Sequence, residues 1–506
     1  MNLARILAGK ARRYDGKTAF AFAGKNISFA DVDRAVGRFA HALRNLGVGK
    51  GRRVVLQFGK SPDFIFLHLA NLALGGITVP LNPAYTPAET AYFLADAGAF
   101  LFLTDRAGLD RALQAARVAG GEVRTLAVEA LESNGATAAG DVRDYPADGD
   151  DVAMLCYTSG TTGRPKGAMI THRNLLRNAA ALREVWQWTD RDVLLHALPL
   201  FHIHGLNVAA VGSLYCGSTA VLHEKFDPAR AWATLGDAGC TMFMGVPTMY
   251  HRLLQKWEPP GPDLSAMRVF ISGSAPLSES LFQRFEAVTG FRILERYGMT
   301  EAGMIASNPL AAAGRIPRSV GHPLPGNAVR IAGPDGETVR LGQVGELWIR
   351  GESVCRGYWQ KPDATAEAFT DDGWFKSGDL GVLDPEDAGR LHLVGRSKEM
   401  IISGGFNVYP KEVETALERH EAVEEAAVFG LPDPDFGEKV AAAVVTRPGA
   451  GEVAAGDLLA LCRERLAGYK CPKEVFFLEA LPRNAMGKVQ KNLLPEIFSR
   501  GVEADA

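Results

Sequence analysis

Residues 28–46 carry apolar side chains at Phe29, Val32, Val36, Phe39, Ala40 and Leu43. That is the three-and-four spacing of one helix face, and Gly47 stops the run. Val54-Val55-Leu56 follows as a short unbroken apolar run, read as a buried strand. The pattern then repeats: an apolar helical stretch, the Gly75-Gly76 break, a strand at 77–81, a helix ending near Gly98 and a strand at 100–103. Helices alternating with short continuous apolar strands predict a parallel sheet covered on both faces. The alternation resumes beyond residue 167 and runs to about residue 300. Residues 328–395 lose helical periodicity. Turn signals such as Pro334-Asp335-Gly336 separate short strands at 346–350 and 391–394, which predicts a small β-rich subdomain. After Gly395-Arg396 a mixed pattern returns, with a helix starting near Lys411. The predicted class is α/β: a large N-terminal domain (1–396) of two mixed or parallel α/β subdomains plus a small β-rich subdomain, then a small α+β C-terminal domain (397–506). The acidic, Ala/Gly-rich patch 134–150 reads as a surface connection.

A chain of 506 residues exceeds what one core usually holds, which agrees with more than one domain. A net charge of −3 gives no reason to expect a nucleic-acid or membrane-surface partner. The six cysteines (156, 216, 240, 355, 462 and 471) form no C-x-x-C pair, which suits a reducing compartment and argues against structural zinc. The N-terminus lacks the layout of a secretory signal. The most apolar stretch, 64–81, is interrupted by His68 and Asn71 and broken at Gly75-Gly76, so it reads as a buried helix and strand rather than a membrane span. The expected location is cytoplasmic.

Residues 158–167 read Thr-Ser-Gly-Thr-Thr-Gly-Arg-Pro-Lys-Gly and follow the strand-like Val152-Ala153-Met154-Leu155. Gly160 and Gly163 let the backbone approach a ligand, and successive N–H groups in such a loop form an anion-binding concavity. Thr158, Ser159, Thr161 and Thr162 add hydroxyl donors and Lys166 adds a point charge. The chemistry implied is binding of a nucleotide polyphosphate. The loop is not a Walker A motif, because Lys166 is followed by Gly167 and Ala168, not by a hydroxyl residue.

Four further segments complete the pattern: Gly273-Ser274-Ala275-Pro276; Glu295-Arg296-Tyr297-Gly298-Met299-Thr300-Glu301; Ser377-Gly378-Asp379 with Gly395-Arg396; and Pro482-Arg483-Asn484-Ala485-Met486-Gly487-Lys488. In this order, over the whole length, they resemble the adenylate-forming superfamily of acyl-CoA synthetases, luciferases and peptide-synthetase adenylation domains. The resemblance implies ATP, Mg²⁺ and coenzyme A as cofactors. It also implies that residues 158–166 hold the β/γ-phosphates, Thr300 touches the α-phosphate region, and Glu301 helps hold Mg²⁺. Tyr297 would stack on adenine beside the 273–276 turn, with Glu295, Gly298 and Met299 around it, and Asp379 would take the ribose hydroxyls with Arg396 nearby. Lys488, on a mobile small domain, would be the catalytic cation of adenylation and a candidate target for a lysine acetyltransferase. Lys398 falls at the hinge, and Gly404, Gly405 and Phe406 would swing toward a pantetheine tunnel.

The acid is read from the segments bordering the acyl pocket by family position. Where amino-acid-activating relatives carry an aspartate, this chain has Phe201-His202. Arg252 and Arg296 both fall beside the pocket, together with His202, Ser274 and Met304. A guanidinium cannot be neutralised in a protein and is costly to bury without an anion. The expected substrate therefore carries a second carboxylate, and these stretches resemble the malonyl-CoA synthetase branch. Ile203, where that branch commonly has Thr, and the run Ala302-Gly303-Met304-Ile305-Ala306-Ser307 make a more apolar wall that suits methylmalonate as an alternative. Other readings are a short- or medium-chain monocarboxylate ligase, a carrier-loading module, and a non-catalytic adenylate sensor. The last two are disfavoured, respectively, by the lack of any carrier segment and by retention of Lys488 and Glu301.

Overall fold

In the computed structural model, which describes residues 1–120, 123–135, 143–158, 164–387, 389–404, 406–433, 435–451, 453–484 and 487–499, the helix predicted from residue 28 spans Phe29–Asn45. Ser28 caps it: its side chain accepts from the Asp31 N–H, and the Asp31 carboxylate receives the Ser28 N–H. Gly47, at φ +87°, ends it in the left-handed region that glycine tolerates without strain.

Two sheets build the bulk of the large domain. One has nine strands, ordered His322–Pro323, Gly303–Ser307, Leu294–Met299, Val269–Ser272, Met242–Gly245, Val193–His196, Thr219–Leu222, Thr18–Phe22 and Lys25–Ser28. Its centre is parallel and only its edges are antiparallel. The other has six strands, ordered Arg124–Ala127, Leu101–Thr104, Arg53–Leu56, Ile77–Pro80, Val152–Thr158 and Lys166–Thr171. Central strands such as Arg53–Leu56 and Val269–Ser272 are buried almost throughout, as expected for strands covered on both faces.

The predicted β-rich subdomain is a four-stranded antiparallel sheet of Asn327–Ala332, Gly345–Gly351, Phe375–Leu383 and Leu391–Arg396. The structure adds a short helix there, Pro362–Ala368, which the missing periodicity did not predict. At seven residues it spans under two turns, too short for a repeating apolar face, and Pro362 at its first turn is its one local signal. The small C-terminal domain is a five-stranded sheet of Phe406–Val408, Ile401–Ser403, Gly437–Thr446, Val423–Asp433 and Glu474–Phe477, packed by helices including Pro410–Leu417. Part of the patch 134–150 lies outside the described residues. The remainder is tied to the body: Arg143 pairs with Asp33 at 2.6 Å and the Tyr145 N–H bonds the Ala73 carbonyl at 3.0 Å.

The small domain leans on the large one. His251 Nε2 lies 3.0 Å from Glu424 Oε1, and Arg447 Nη2 donates to Ser280 Oγ at 2.8 Å. A Cβ at Gly487 would lie 2.8 Å from Thr248 Oγ1, so the loop ending at Lys488 rests on the first turn of the helix Pro247–Gln255. Among the described residues no helix is long and apolar enough to cross a membrane.

Candidate active site

The strands flanking the polyphosphate-like segment form an antiparallel hairpin. Strand Val152–Thr158 runs further than its apolar start predicts, and Lys166–Thr171 returns antiparallel with Thr158 opposite Lys166. Ser159, Gly160, Thr161, Thr162 and Gly163 lie outside the described residues. At the hairpin mouth Thr158 Oγ1 and the Tyr358 hydroxyl both donate to Glu301 Oε1 at 3.1 Å. Lys166 Nζ sits 5.4 Å from the centre of the Tyr358 ring. Burial raises the Glu301 carboxyl above its ordinary range, opposed by these hydrogen bonds. The described residues contain no cluster of three or more His, Cys, Asp or Glu able to hold a metal. The buried carboxylate of Glu301 at the hairpin mouth instead fits Mg²⁺, which keeps waters and takes phosphate oxygens with one or two protein carboxylates.

Tyr297 and Asp379 are brought together from two sheets. The Tyr297 hydroxyl donates to Asp379 Oδ2 at 2.5 Å, and Arg396 Nε pairs with Asp379 Oδ1 at 3.0 Å. Asp379 and Arg396 face each other in register on adjacent strands. Glu295 is buried, and its Oε1 accepts the Leu277 N–H at 3.0 Å, which fixes the end of the 273–276 turn; Ala275 and Pro276 lie on the more open side of that turn. Burial pushes the Glu295 carboxyl up to about 7. Gly298 and Met299 close the strand into a tight hairpin with 303–307: a Cβ at Gly298 would lie 2.4 Å from the Gly303 carbonyl oxygen. Thr300 borders a cavity together with Ile203, Asn207 and Gly303. Lys488 reaches this region from the small domain. Its amine is lowered, first by burial and then by Arg396, while Glu399 and Asp379 act in the opposite direction.

Arg296 stands next to Tyr297 on the strand Leu294–Met299. It is 2 % exposed, and its Nε, Nη1 and Nη2 all lack a hydrogen-bond partner. The guanidinium lies flat against Gly273, where a Cβ would come within 2.3 Å of Arg296 Cζ, so only glycine fits there. Burial lowers its pKa to about 9. His202 and His204 stand beside it and are held neutral, chiefly by burial and next by Arg296 itself; His202 is lowered to about 4. His204 Nδ1 is 3.2 Å from Ser274 Oγ, and Ser274 takes a φ of +68° to present that hydroxyl. Met304 is buried, with its side chain packed under Gly298.

Arg252 differs from expectation. Of the two guanidiniums only Arg296 is buried; Arg252 is exposed on the last turn of the helix Pro247–Gln255. That helix buries Tyr250 and Leu253, and position 252 falls off this face, one turn beyond Thr248. Lys398 is exposed in the turn Ser397–Glu399, between the last strand of the β-rich sheet and the first of the small domain. Gly404 takes φ +58°, and the exposed ring of Phe406 stacks on Tyr469 at 4.6 Å; Gly405 lies outside the described residues. Sequence reasoning missed Tyr358, His196 and His204 as site residues. The spacing of the histidines, 196, 202 and 204, around Pro199 is a signal that was available; a lone tyrosine 57 residues beyond Glu301 carries none.

Residues 7–359 match the model of the AMP-binding enzyme family, and residues 412–488 match the AMP-binding enzyme C-terminal domain. The chain is similar to ATP-bound MatB from Rhodopseudomonas palustris, with TM-score 0.91 and 41% identity, covering 98% of this chain and 99% of that one. Against the apo form of the same protein the TM-score is 0.81. It is 39% identical to a feruloyl-CoA synthase of an Amycolatopsis species, over 95% of this chain and 96% of that protein. It is 37% identical to a sulfoacetate–CoA ligase of Cupriavidus necator, over 97% and 96%. It is also 37% identical to the mitochondrial malonate–CoA ligase of Mus musculus, over 89% and 82%.

Proposed function

Because the chain belongs to the AMP-binding enzyme family and is an AMP-forming acyl-CoA ligase working with ATP, Mg²⁺ and CoA, we propose that the acid it activates is malonate. The product is malonyl-CoA, formed through malonyl-adenylate with release of pyrophosphate and AMP. The observation that carries this reading is Arg296, a buried guanidinium with all three nitrogens unmatched. A carboxylate supplies two acceptor oxygens in the fork geometry a guanidinium prefers. The MatB likeness and the malonate-activating relatives support the same substrate.

In this reading the free carboxylate of malonate seats on Arg296, flanked by the neutral His202 and His204, while Ser274 holds His204 in place. The other carboxylate then points toward Thr300 and Lys488. One of its oxygens attacks the α-phosphorus of ATP, and the bond to the β-phosphate oxygen breaks. Lys488 meets the negative charge gathering between the two anions, and Lys166 and Thr158 meet the departing pyrophosphate. Mg²⁺, when bound beside Glu301, neutralises triphosphate charge. Tyr297 stacks on the adenine and Asp379 takes the ribose. The small domain, whose boundary we place after Arg396, then turns about Lys398 and withdraws Lys488. Gly404 and Phe406 come to the cleft, and the CoA thiolate attacks the acyl carbon and expels AMP. The cytoplasm is the compartment we propose, in keeping with six free cysteines.

Pyrophosphate release over malonate, methylmalonate, succinate, sulfoacetate, butyrate, hexanoate and ferulate tests the reading. Malonate is expected to lead, with methylmalonate next, because Ile203 and Met304 make the wall apolar. A lead for sulfoacetate keeps the anion pocket and changes the acid. A lead for butyrate, hexanoate or ferulate removes the diacid reading.

A further inference from the structure

We infer that His251 and Arg483 are positioning residues of the first half-reaction: the His251–Glu424 contact seats the small domain, and Arg483 carries that seating to Lys488. The inference rests on the proposed alternation of the small domain and not on the identity of the acid.

Four contacts close a ring between the two domains. On the large domain, Thr248 and His251 stand one turn apart on the helix Pro247–Gln255 and share a face. On the small domain, Glu424 and Glu425 are neighbours in the strand Val423–Asp433. His251 Nε2 lies 3.0 Å from Glu424 Oε1. Glu425 pairs with Arg483 Nη2, and Arg483 Nη1 donates to the Gly487 carbonyl at 2.7 Å. Gly487 rests on Thr248, which returns the path to the same helix face. Lys488 is the next residue, and its N–H is held by Asn484 Oδ1 at 3.0 Å.

The small domain's strand is bent to make this contact. Val423 opposes Thr446 and Glu425 opposes Val445, so Glu424 is the additional residue of a β-bulge. In an unbroken strand Val423 and Glu425 would point the same way. The bulge keeps Val423 in the core, at 0 % exposure, and leaves Glu424 for His251 and Glu425 for Arg483. Arg447 fastens it: Nε donates to the Val423 carbonyl at 3.0 Å, and Nη2 reaches Ser280 Oγ of the large domain at 2.8 Å. His251 and Glu424 are 29 % and 15 % exposed, so water screens their contact less than that of an open surface pair. Gln255 Nε2 stands 2.7 Å from the same ring nitrogen; turning that amide over puts its oxygen there, and the Nε2–H is then shared by two acceptors. Arg284, Arg483 and Arg252 are the other charges around the ring. A neutral imidazole still donates its Nε2–H to the carboxylate, so docking does not require protonation. In the proposed alternation, turning about Lys398 parts Glu424 from His251 and Gly487 from Thr248 together. The ring of contacts thus belongs to the arrangement that brings Lys488 toward Asp379, and it favours the first step without touching a substrate.

The test measures the two half-reactions separately, as pyrophosphate release from ATP with malonate and as thioester formation from pre-made malonyl-adenylate and CoA. His251→Glu sets like charges face to face and should slow pyrophosphate release roughly tenfold, in kcat rather than in KM, while thioester formation stays near the wild-type rate. Adding Glu424→Arg restores an opposite pair and should recover most of the lost rate, which a merely damaged fold would not do. Arg483→Lys keeps a charge for Glu425 but cannot span to the Gly487 carbonyl as well, so it should show the same split more weakly; it also decides the matter if His251→Glu does not fold. Unchanged pyrophosphate release, equal loss in both half-reactions, or no recovery in the double variant overturns the inference. Lys488→Ala measured alongside separates the readings: if it spares neither half-reaction the alternation fails, and if it alone splits them only the docking ring fails. Wild type that releases no pyrophosphate with malonate overturns the diacid reading instead, and the acid leading the screen then replaces malonate in both assays.

Discussion

The Tyr297 hydroxyl donates to Asp379 Oδ2 at 2.5 Å while Arg396 Nε holds the opposite oxygen at 3.0 Å. The carboxylate proposed to receive the ribose is therefore oriented by two protein groups, and in that reading one residue serves both the base and the sugar. Tyr297→Phe keeps the aromatic face and removes the strut. The KM for ATP should rise about 10-fold, the scale of one lost hydrogen bond to a charged group, with kcat less affected. Steady-state kinetics with ATP varied reads it; an unchanged KM means the strut has no part in nucleotide binding.

Lys488→Ala should abolish acyl-adenylate formation and largely spare thioester formation from pre-made adenylate. Lys488 lies within electrostatic reach of Asp379 and Arg396, which is where the proposed adenylation step needs it. Acetylation of Lys488 should act in the same way by removing the charge. Equal loss in both half-reactions would sink the assignment.

Lys398→Pro should leave adenylation near normal and cut thioester output. Proline fixes φ and removes a donor at an exposed turn between the two domains. Separate pyrophosphate-release and thioester assays on the same preparation decide it. Full overall turnover shows that the pivot lies elsewhere.

Arg296→Ala should lower kcat/KM for malonate by roughly 2–5 kcal/mol in transition-state terms and raise relative activity on butyrate. Arg252→Ala should also disfavour malonate, but less, and its effect should shrink as salt rises, because Arg252 is exposed. The ratio of malonate to butyrate turnover, taken at two ionic strengths, is the measurement.

Glu295 carries a pH signature. Its folded pKa of about 7 lies above the ordinary 4.5, so between those values the folded state holds a proton the unfolded state has lost. Stability on this account is full below pH 4.5 and falls as pH rises to about 7, by at most on the order of 3 kcal/mol. Glu295→Gln keeps an acceptor for the Leu277 N–H and cannot ionise. Its melting temperature relative to wild type should rise from pH 5 to pH 8; a constant difference removes the claim.

The layers of this fold are legible in the chain because buried parallel strands such as Val269–Ser272 are unbroken apolar runs and their helices have one-sided spacing. The short helix Pro362–Ala368 is not, because under two turns leave no period to read. The site divides in the same way. Tyr297, Asp379 and Glu301 sit in compact runs whose residue types name their chemistry. Tyr358 reaches Glu301 through a contact spanning 57 positions, and local pattern carries no trace of such a pair. Arg252 shows the opposite error: its segment was recognised, but its depth depends on which face of a nine-residue helix packs inward.

The loop ending at Lys488 rests on Thr248, on the helix whose last turn carries Arg252. In the proposed reading that helix borders the acid's chamber, so the cation proposed for the first step would sit down on the chamber's own wall. An acid too bulky for the chamber would then displace that wall and keep the lysine from seating, although the acid is already bound. Such an impostor is turned away by delay rather than by weak affinity, and it is recognised by a depressed kcat with an ordinary KM.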